Sequence, residues 1–365
     1  VGSDLGALAV EMEHDVAHRE PEPHRLPSPQ QSWETRRIRQ FLGLGMAVAD
    51  PTAITVEGYP ESLIPAAYPV KAEQTEFNVK NSTTVCSEKA VNYGFLNATA
   101  EAFTGSGQSG YRYEGTAGIP LNWPNRLAFG VYLFFKSPGE GWNILTGAYI
   151  GSETRILPNS NIARRVRSLI PEDLVAMEYD PFFVPAMDRY NFLWDGIAYT
   201  SNYPEASPFT LDFPDTSWRK GFHPEARYAR PSIKVWVDAY NCRVQLYADL
   251  TDPLAATLSR TFPGMYQPLS EMPEALRDVT RWPETYFNTQ LKVAQTYHVS
   301  GYEDFWTGRE RWEPATEIVG NIGLAQGKAV PMESRYILSR RPDGKGLEAL
   351  LVNAVSRQGT RNLAA

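Results

Sequence analysis

The chain has 365 residues, 42% hydrophobic and 21% charged, the balance of a folded globule rather than of a disordered or collagen-like chain. That length supports one large domain or two ordinary ones. A formal net charge of -7 argues against the basic surface that nucleic-acid binding requires, so no nucleic-acid partner is expected.

Residues 1 to 30 hold four prolines, clustered acids and three of the five histidines, a composition suited to an exposed arm or linker. The remainder, 31 to 365, reads as the folded body, with a division into two subdomains near residue 110 left open. A helix is predicted from Ser32, ahead of Trp33 and Ile38, toward the glycines at 43 and 45. Pro-rich, Tyr-containing loops follow over residues 50 to 70, and the tract from Gly105 to Gly110 precedes a strand signal at Tyr111, Arg112 and Tyr113. Behind Pro124, the spacing of Leu127, Val131 and Phe134 or Phe135 predicts a buried helix. The apolar run from Leu127 to Phe135 is far shorter than the roughly 20 residues that cross a bilayer, so no transmembrane helix is expected in this chain. No signal-peptide pattern opens it either, and targeting is expected to lie outside it.

A further helix is predicted over 161 to 170, stopped by Pro171. Strands follow at 182 to 184, 191 to 194 and 197 to 200, with Asp195-Gly196 offering hairpin-turn chemistry between the last two. The clearest pair comes next. Ile233, Val235 and Val237 alternate with Lys234, Trp236 and Asp238, and after a turn around Ala239 to Cys242 the alternation resumes at Val244, Leu246 and Ala248, predicting a half-buried antiparallel hairpin. Proline-opened helices are predicted at 253 to 261, 273 to 281 and 283 to 299, then strands at 336 to 338 and 349 to 352 and a final helix from Ser356. Strands and helices come in blocks, so the fold class is α+β, antiparallel hairpins packed with helices and joined by long Pro/Tyr-rich loops.

Several constellations bear on chemistry. His14 and His18 stand one helical turn apart, the spacing that grips a divalent cation from one face, with His24 as a third ligand; the competing reading is an ordinary polar arm, and no cofactor is predicted. His298 shares a predicted helix face with Phe287, Leu291 and Ala294 and is a candidate acid or base with Glu271 or Asp304; the competing reading is a core histidine satisfied by its neighbours. Asp249 with Asp252, and Asp212 with Asp215, offer oxygen ligands to a cation, against solvated turns and a helix cap at Asp252. The glycines from 105 to 110 formally match a dinucleotide fingerprint, but a strand signal follows them and the flexible-loop reading is preferred. Arg164, Arg165 and Arg167 read as a solvated helix face rather than an anion site. Cys86 and Cys242 are either one disulfide or two buried thiols.

Several segments resemble a large bacterial family of unassigned function, uncharacterised protein family 0182. They include Tyr113-Glu114-Gly115-Thr116, Glu153-Thr154-Arg155-Ile156-Leu157, Asp180-Pro181-Phe182 and Lys234-Val235-Trp236-Val237-Asp238-Ala239-Tyr240. Asp252-Pro253, Phe262-Pro263-Gly264, Trp282-Pro283-Glu284 and Thr296-Tyr297-His298 continue them in order, so the resemblance covers roughly residues 111 to 312. It implies membrane helices outside this segment and a large extracytoplasmic region to which this chain corresponds, continuing beyond Ala365, at the periplasmic or outer face of a bacterial membrane. The expected function is a binding or scaffolding module whose partners are membrane protein subunits. The alternatives are a cell-envelope hydrolase acting through His298 and a divalent-cation-binding envelope protein. No catalytic residue transfers from the resemblance.

Overall fold

The computed structural model describes residues 32–39, 42–44, 48–56, 60–64, 79, 83–88, 90–99, 112–147, 149–213, 223–319, 328–340, 347–359 and 363. The arm at 1 to 30, the glycine tract at 105 to 110 and Asp215 lie outside these residues. Mixed helices and antiparallel strands make the fold α+β.

Ser32 opens the first helical turn as predicted, its Oγ accepting from Thr35 N at 3.1 Å; the turn closes as a π-helical segment at Thr35–Arg39. Where loops were expected over residues 50 to 70, strands at Val48–Ile54 and Pro60–Ile64 pair antiparallel; a three-stranded sheet comes later from β1 (Tyr93–Leu96), β2 (Ile119–Pro120) and β3 (Arg155–Pro158), with β3 in the middle. Between β2 and β3 the chain forms a helical hairpin of α1 (Trp123–Lys136) and α2 (Pro138–Thr146). Arg112 and Tyr113 are not in a strand. Tyr113 is instead buried, and its hydroxyl donates to Tyr240 O at 3.0 Å, so a tertiary bond takes the place of a sheet ladder. Next comes α3 (Ile162–Arg167), capped by Asn161, whose Oδ1 accepts from Arg164 N at 3.0 Å.

The main sheet is built from β4 (Val175–Met177), β5 (Phe182–Ala186), β6 (Arg189–Thr200), β7 (Tyr228–Asp238), β8 (Val244–Ala248) and β9 (Tyr266–Pro268). Its order is β9-β8-β7-β6-β4, with β5 also on β6, and all pairs are antiparallel except β8 with β9. The predicted hairpin is present, with Val235 opposite Leu246 and Val237 opposite Val244.

Its other face is not open to water, however. Trp236 packs against a second cluster containing Phe182, Leu193, Met272 and Leu276, and Asp238 is buried. The reason is visible in β6, where Tyr190, Phe192 and Trp194 enter the main core while Leu193 and Ile197 enter clusters on the opposite side. A strand covered on both faces reads as a continuous apolar run.

Asp195-Gly196 is not a turn but the middle of β6. The turn lies earlier, at Met187 and Asp188, both with positive φ (54° and 60°), the geometry that two-residue hairpins demand. Gly196 serves a different need: a Cβ there would meet Ile233 at 3.0 Å and the Met177 sulfur at 3.3 Å, so the strands close only over glycine.

The helices that follow are α4 (Pro253–Thr261), α5 (Glu274–Arg277), α6 (Glu284–Tyr297) and α7 (Tyr302–Thr307). The cap predicted at Asp252 is present and fully buried; its carboxylate accepts from Leu254 N, Ala255 N, Ser232 Oγ and the Tyr228 hydroxyl. At the C-terminal end come β10 (Trp312–Pro314), β11 (Thr316–Val319), β12 (Lys328–Pro331), β13 (Arg335–Arg340), β14 (Leu347–Val352) and β15 (Val355–Arg357), paired β10 with β15, β11 with β12 and β13 with β14. The helix expected from Ser356 is therefore a strand: Val355 and Ser356 are both buried, and Ser356 is opposite Glu313.

Cys86 and Cys242 form a disulfide with a Cα–Cα distance of 5.5 Å. It ties the 83–88 segment to the β7–β8 turn, where Cys242 adopts φ 56°. Val85 N and Cys86 N also donate to Ala239 O at 2.8 and 3.1 Å. Closing 156 residues of chain, this bond restricts the unfolded state. Replacing both cysteines with serine is expected to cost roughly 2 to 5 kcal/mol in urea denaturation, and dithiothreitol should lower the wild-type midpoint while leaving the variant's unchanged.

Candidate functional site

The α1–α2 hairpin is rigid by construction. Asn122 caps α1 and Pro124 occupies its first turn, while Ser137 alone links the two helices. At their crossing a Cβ on Gly130 would run into Leu145, and one on Gly141 into the backbone of Phe134. Arg126 clamps the far end, donating to the carbonyls of Ile144, Leu145 and Gly147 at 2.8, 3.1 and 3.3 Å, where a cation also meets the negative end of α2. Leu133 and Ile144 anchor the hairpin to Phe95, Leu121 and Ile156.

Phe129 packs beside them, but much of the hairpin's apolar surface faces outward. Trp123, Leu127, Val131 and Phe135 recur every four residues, one ridge of a helix, and are 71%, 43%, 41% and 84% exposed. Tyr132, Phe134 and Trp142 are exposed as well. The buried helix expected here is thus buried only at Gly130 and Leu133, because the close glycine crossing leaves room for a narrow inward stripe. Single exposed apolar residues are ordinary, whereas an exposed apolar ridge is a candidate interaction surface.

A second concentration of chemistry is internal, at the seam between the main sheet, α6 and β13. Glu178 is 3% exposed and accepts from Tyr179 N and Thr285 N, both at 3.0 Å, and from Thr285 Oγ1. Asp195 and Lys234, directly opposite on β6 and β7, form an ion pair, and Lys234 Nζ also donates to Arg281 O at 3.0 Å. The Arg281 guanidinium lies 4.4 Å from the Phe182 ring centre and 5.3 Å from that of Tyr336. Tyr179 donates to Glu284 Oε2 at 3.1 Å.

Burial sets the ionisation of this seam. It pushes Glu178 up to about 7 against the pull of its three donors, with the Asp195 charge adding to the rise. Asp195 is raised by burial, opposed by Lys234. Arg281 is lowered to about 10 by burial and remains a cation at neutral pH; Tyr179 and Tyr336 are raised, again chiefly by burial. The seam therefore holds a carboxyl, Glu178, whose affinity for its proton is raised by burial inside a packed joint.

A family model described as "Uncharacterised protein family (UPF0182)" matches residues 9–365. The chain belongs to this family. Curated UPF0182 proteins similar to it include one from Clostridium perfringens (28% identical over 92% of this chain and 36% of the relative). Others come from Desulforamulus reducens (28%, covering 99% and 37%) and Moorella thermoacetica (29%, covering 92% and 35%). The chain spans about a third of the length of these relatives. No solved structure matches it. The match reaches well before residue 111, where the resemblance read from the motifs faded.

Segments that carried the UPF0182 resemblance converge on the seam: Asp180-Pro181-Phe182, Lys234 on β7, and Trp282-Pro283-Glu284 at the start of α6. Glu178, Arg281 and Tyr336 went unrecognised in the sequence. The available signal was a charge inside an apolar strand, at Asp195 and Lys234, which requires a buried partner.

The residues singled out by pattern are placed differently. His298 caps the C-terminus of α6, bonds Ala294 O through Nδ1 at 2.9 Å and stacks on Trp312 with ring centres 3.9 Å apart. Glu271 is exposed on a 3-10 turn at Leu269–Glu271 and Asp304 is in the first turn of α7; among the described residues no hydrogen bond or ion pair joins either to His298. His14, His18 and His24 lie outside the described residues, which contain no cluster of three or more potential metal ligands among them. Asp249 accepts from Thr251, and Asp212 pairs with Lys292. Arg165 turns inward to the carbonyls of Pro158 and Asn159 at 2.7 and 2.9 Å, so only Arg164 and Arg167 form the solvated face expected of the trio.

Because Glu178 holds its proton more tightly folded than unfolded, the native state binds more protons between the ordinary glutamate value of 4.5 and about 7. Its contribution to stability is therefore greatest at low pH, falls as pH rises through that window and is level above it. Glu178→Gln removes the titration but keeps only one acceptor oxygen, leaving its amide nitrogen against either Tyr179 N or Thr285 N. The loss of that acceptor is a pH-independent cost, so the expected signature is a stability relative to wild type that rises by up to about 3 kcal/mol between pH 5 and pH 8 in chemical denaturation.

Proposed function

We propose that this UPF0182 chain is a binding or scaffolding module on the extracytoplasmic face of a bacterial membrane, held against membrane protein subunits by the outer ridge of α1 and α2. The observation that carries the reading is the solvent-facing row Trp123, Leu127, Val131 and Phe135 on a hairpin pinned by Arg126 and the glycine crossing. A docking surface requires such apolar anchors on a stiff support, so that little conformational entropy is lost on association.

The Cys86–Cys242 disulfide supports the extracytoplasmic part of the reading, since such bonds persist in oxidising compartments. No helix among the described residues is long and apolar enough to cross a membrane, so on this reading the bilayer-embedded partner surface is supplied by other segments.

A photo-crosslinking residue at Phe135 or Trp142 of the full-length protein, irradiated in native membranes, is expected to capture a membrane-embedded protein segment. The exposed Glu274 on α5 serves as the comparison position and should capture none. Equal labelling at all three positions, or fractionation of the native protein with the cytosol, would overturn the reading. Trp123→Ser with Phe135→Ser should weaken the association while changing folding stability little, both side chains being largely solvated already.

A further inference from the structure

An open groove of about 900 Å³ lies between α3 and the Tyr179–Pro181 segment, with Trp194 of β6 also lining it. This volume is near the upper end of the roughly 300 to 1,000 Å³ of small-ligand clefts, enough for a short oligomer rather than a single small ring. Its walls are firmly held. Ile162 and Val166 of α3 are fully buried in the main core, and Arg165 anchors the same helix to two backbone carbonyls. On the opposite wall Tyr179 is fixed through Glu284, and Trp194 Nε1 donates to Glu178 O at 2.7 Å.

The lining is dominated by flat, multivalent polar groups: Asn92, Asn161, Arg164, Arg167, Glu172 and Asp180. Some are already committed. Arg167 pairs with Glu172 at 2.5 Å, and the Asn161 amide bonds Arg164 N and Glu88 O. Arg164 and Asn92 are exposed, and neither side chain makes a hydrogen bond among the described residues. One supplies the five donors of a guanidinium, the other an amide with donors and an acceptor.

Charge narrows the ligand. Arg164 and Arg167 stand beside three carboxylates, Glu88, Glu172 and Asp180, so the groove carries a small excess of negative charge and disfavours a polyanion. An extended peptide usually pairs with an open strand edge or inserts apolar anchors into pockets. Here Trp194, the lining residue contributed by the main sheet, is paired with Val235 in the sheet interior and only 2% exposed, and the accessible apolar lining is confined to Ala163, Pro181 and the half-buried ring of Tyr179. Planar amides, guanidinium and carboxylates beside an aromatic ring suit a ligand with adjacent hydroxyls along its edges and an apolar C–H face.

We propose that the groove between α3 and the Tyr179–Pro181 segment binds a short oligosaccharide of no net negative charge, with Arg164 and Asn92 as its principal hydrogen-bonding contacts. This site is separate from the α1–α2 ridge, and its test does not depend on membrane association.

The test uses the full-length protein and a printed panel of neutral, amino-substituted and uronic-acid oligosaccharides of two to six rings, with tri- to pentapeptides alongside. The strongest oligosaccharide is then titrated by calorimetry. Binding of neutral or amino-substituted oligosaccharides is expected, weakened at least about tenfold by Arg164→Ala and again by Asn92→Ala, with the thermal midpoint of each variant unchanged because both side chains are solvated and unbonded. Preference for uronic acids, binding of peptides alone, a blank panel, or oligosaccharide affinity indifferent to both substitutions would each overturn the proposal.

Discussion

The pairing of β6 with β7 is the constraint on which the rest of the fold depends. Nine residue pairs run from Asn191–Asp238 to Thr200–Tyr228, interrupted by a register shift after Gly196. Because side chains alternate, this register places Phe192, Trp194, Val235 and Val237 in the main core, and sets Asp195 opposite Lys234. A slip of one residue would exchange the two sets. It would drive the ion pair into the apolar core and move Gly196 off the position where a Cβ cannot fit. The register is thus specified twice, by apolar burial and by charge.

The polar seam on the other side of that pairing is costly to bury and is kept by being bonded. Charges removed from water lose several kcal/mol each unless paired and hydrogen-bonded, and here Asp195 has Lys234, Lys234 has a second acceptor in Arg281 O, and Glu178 has three donors. These bonds join residues more than a hundred positions apart, Glu178 with Thr285 and Tyr179 with Glu284. They hold α6 and the Arg281 joint in place against the sheet. The segment that carries Glu178 into the seam carries Tyr179 and Asp180 to the groove, so the internal joint and the proposed ligand surface share one stretch of chain.

The α1–α2 ridge follows the opposite logic. Its support is strongly determined, by a cap, a glycine crossing and an arginine clamp, yet its largest apolar side chains are left in water. This combination of a stiffened helix pair and an apolar face withheld from the core is what the proposed docking role rests on.

Short-range physics made much of this legible in the sequence alone. Alternation over residues 233 to 248 determined the hairpin, proline with a capping aspartate determined α4, and Pro124 determined the start of α1. Each depends on neighbours a few residues apart. Tertiary structure decided what depends on distant partners: that Asp195-Gly196 lies within a strand because Ile233 and Met177 crowd it, that Ser356 extends a sheet because Glu313 is opposite, and that Cys86 meets Cys242. It also decided exposure. Leu127, Val131 and Phe135 have the spacing of a core helix, and a helical period states only that apolar residues share a face. Whether that face meets the protein's interior or its surroundings is set by where Gly130 and Gly141 allow the two helices to cross.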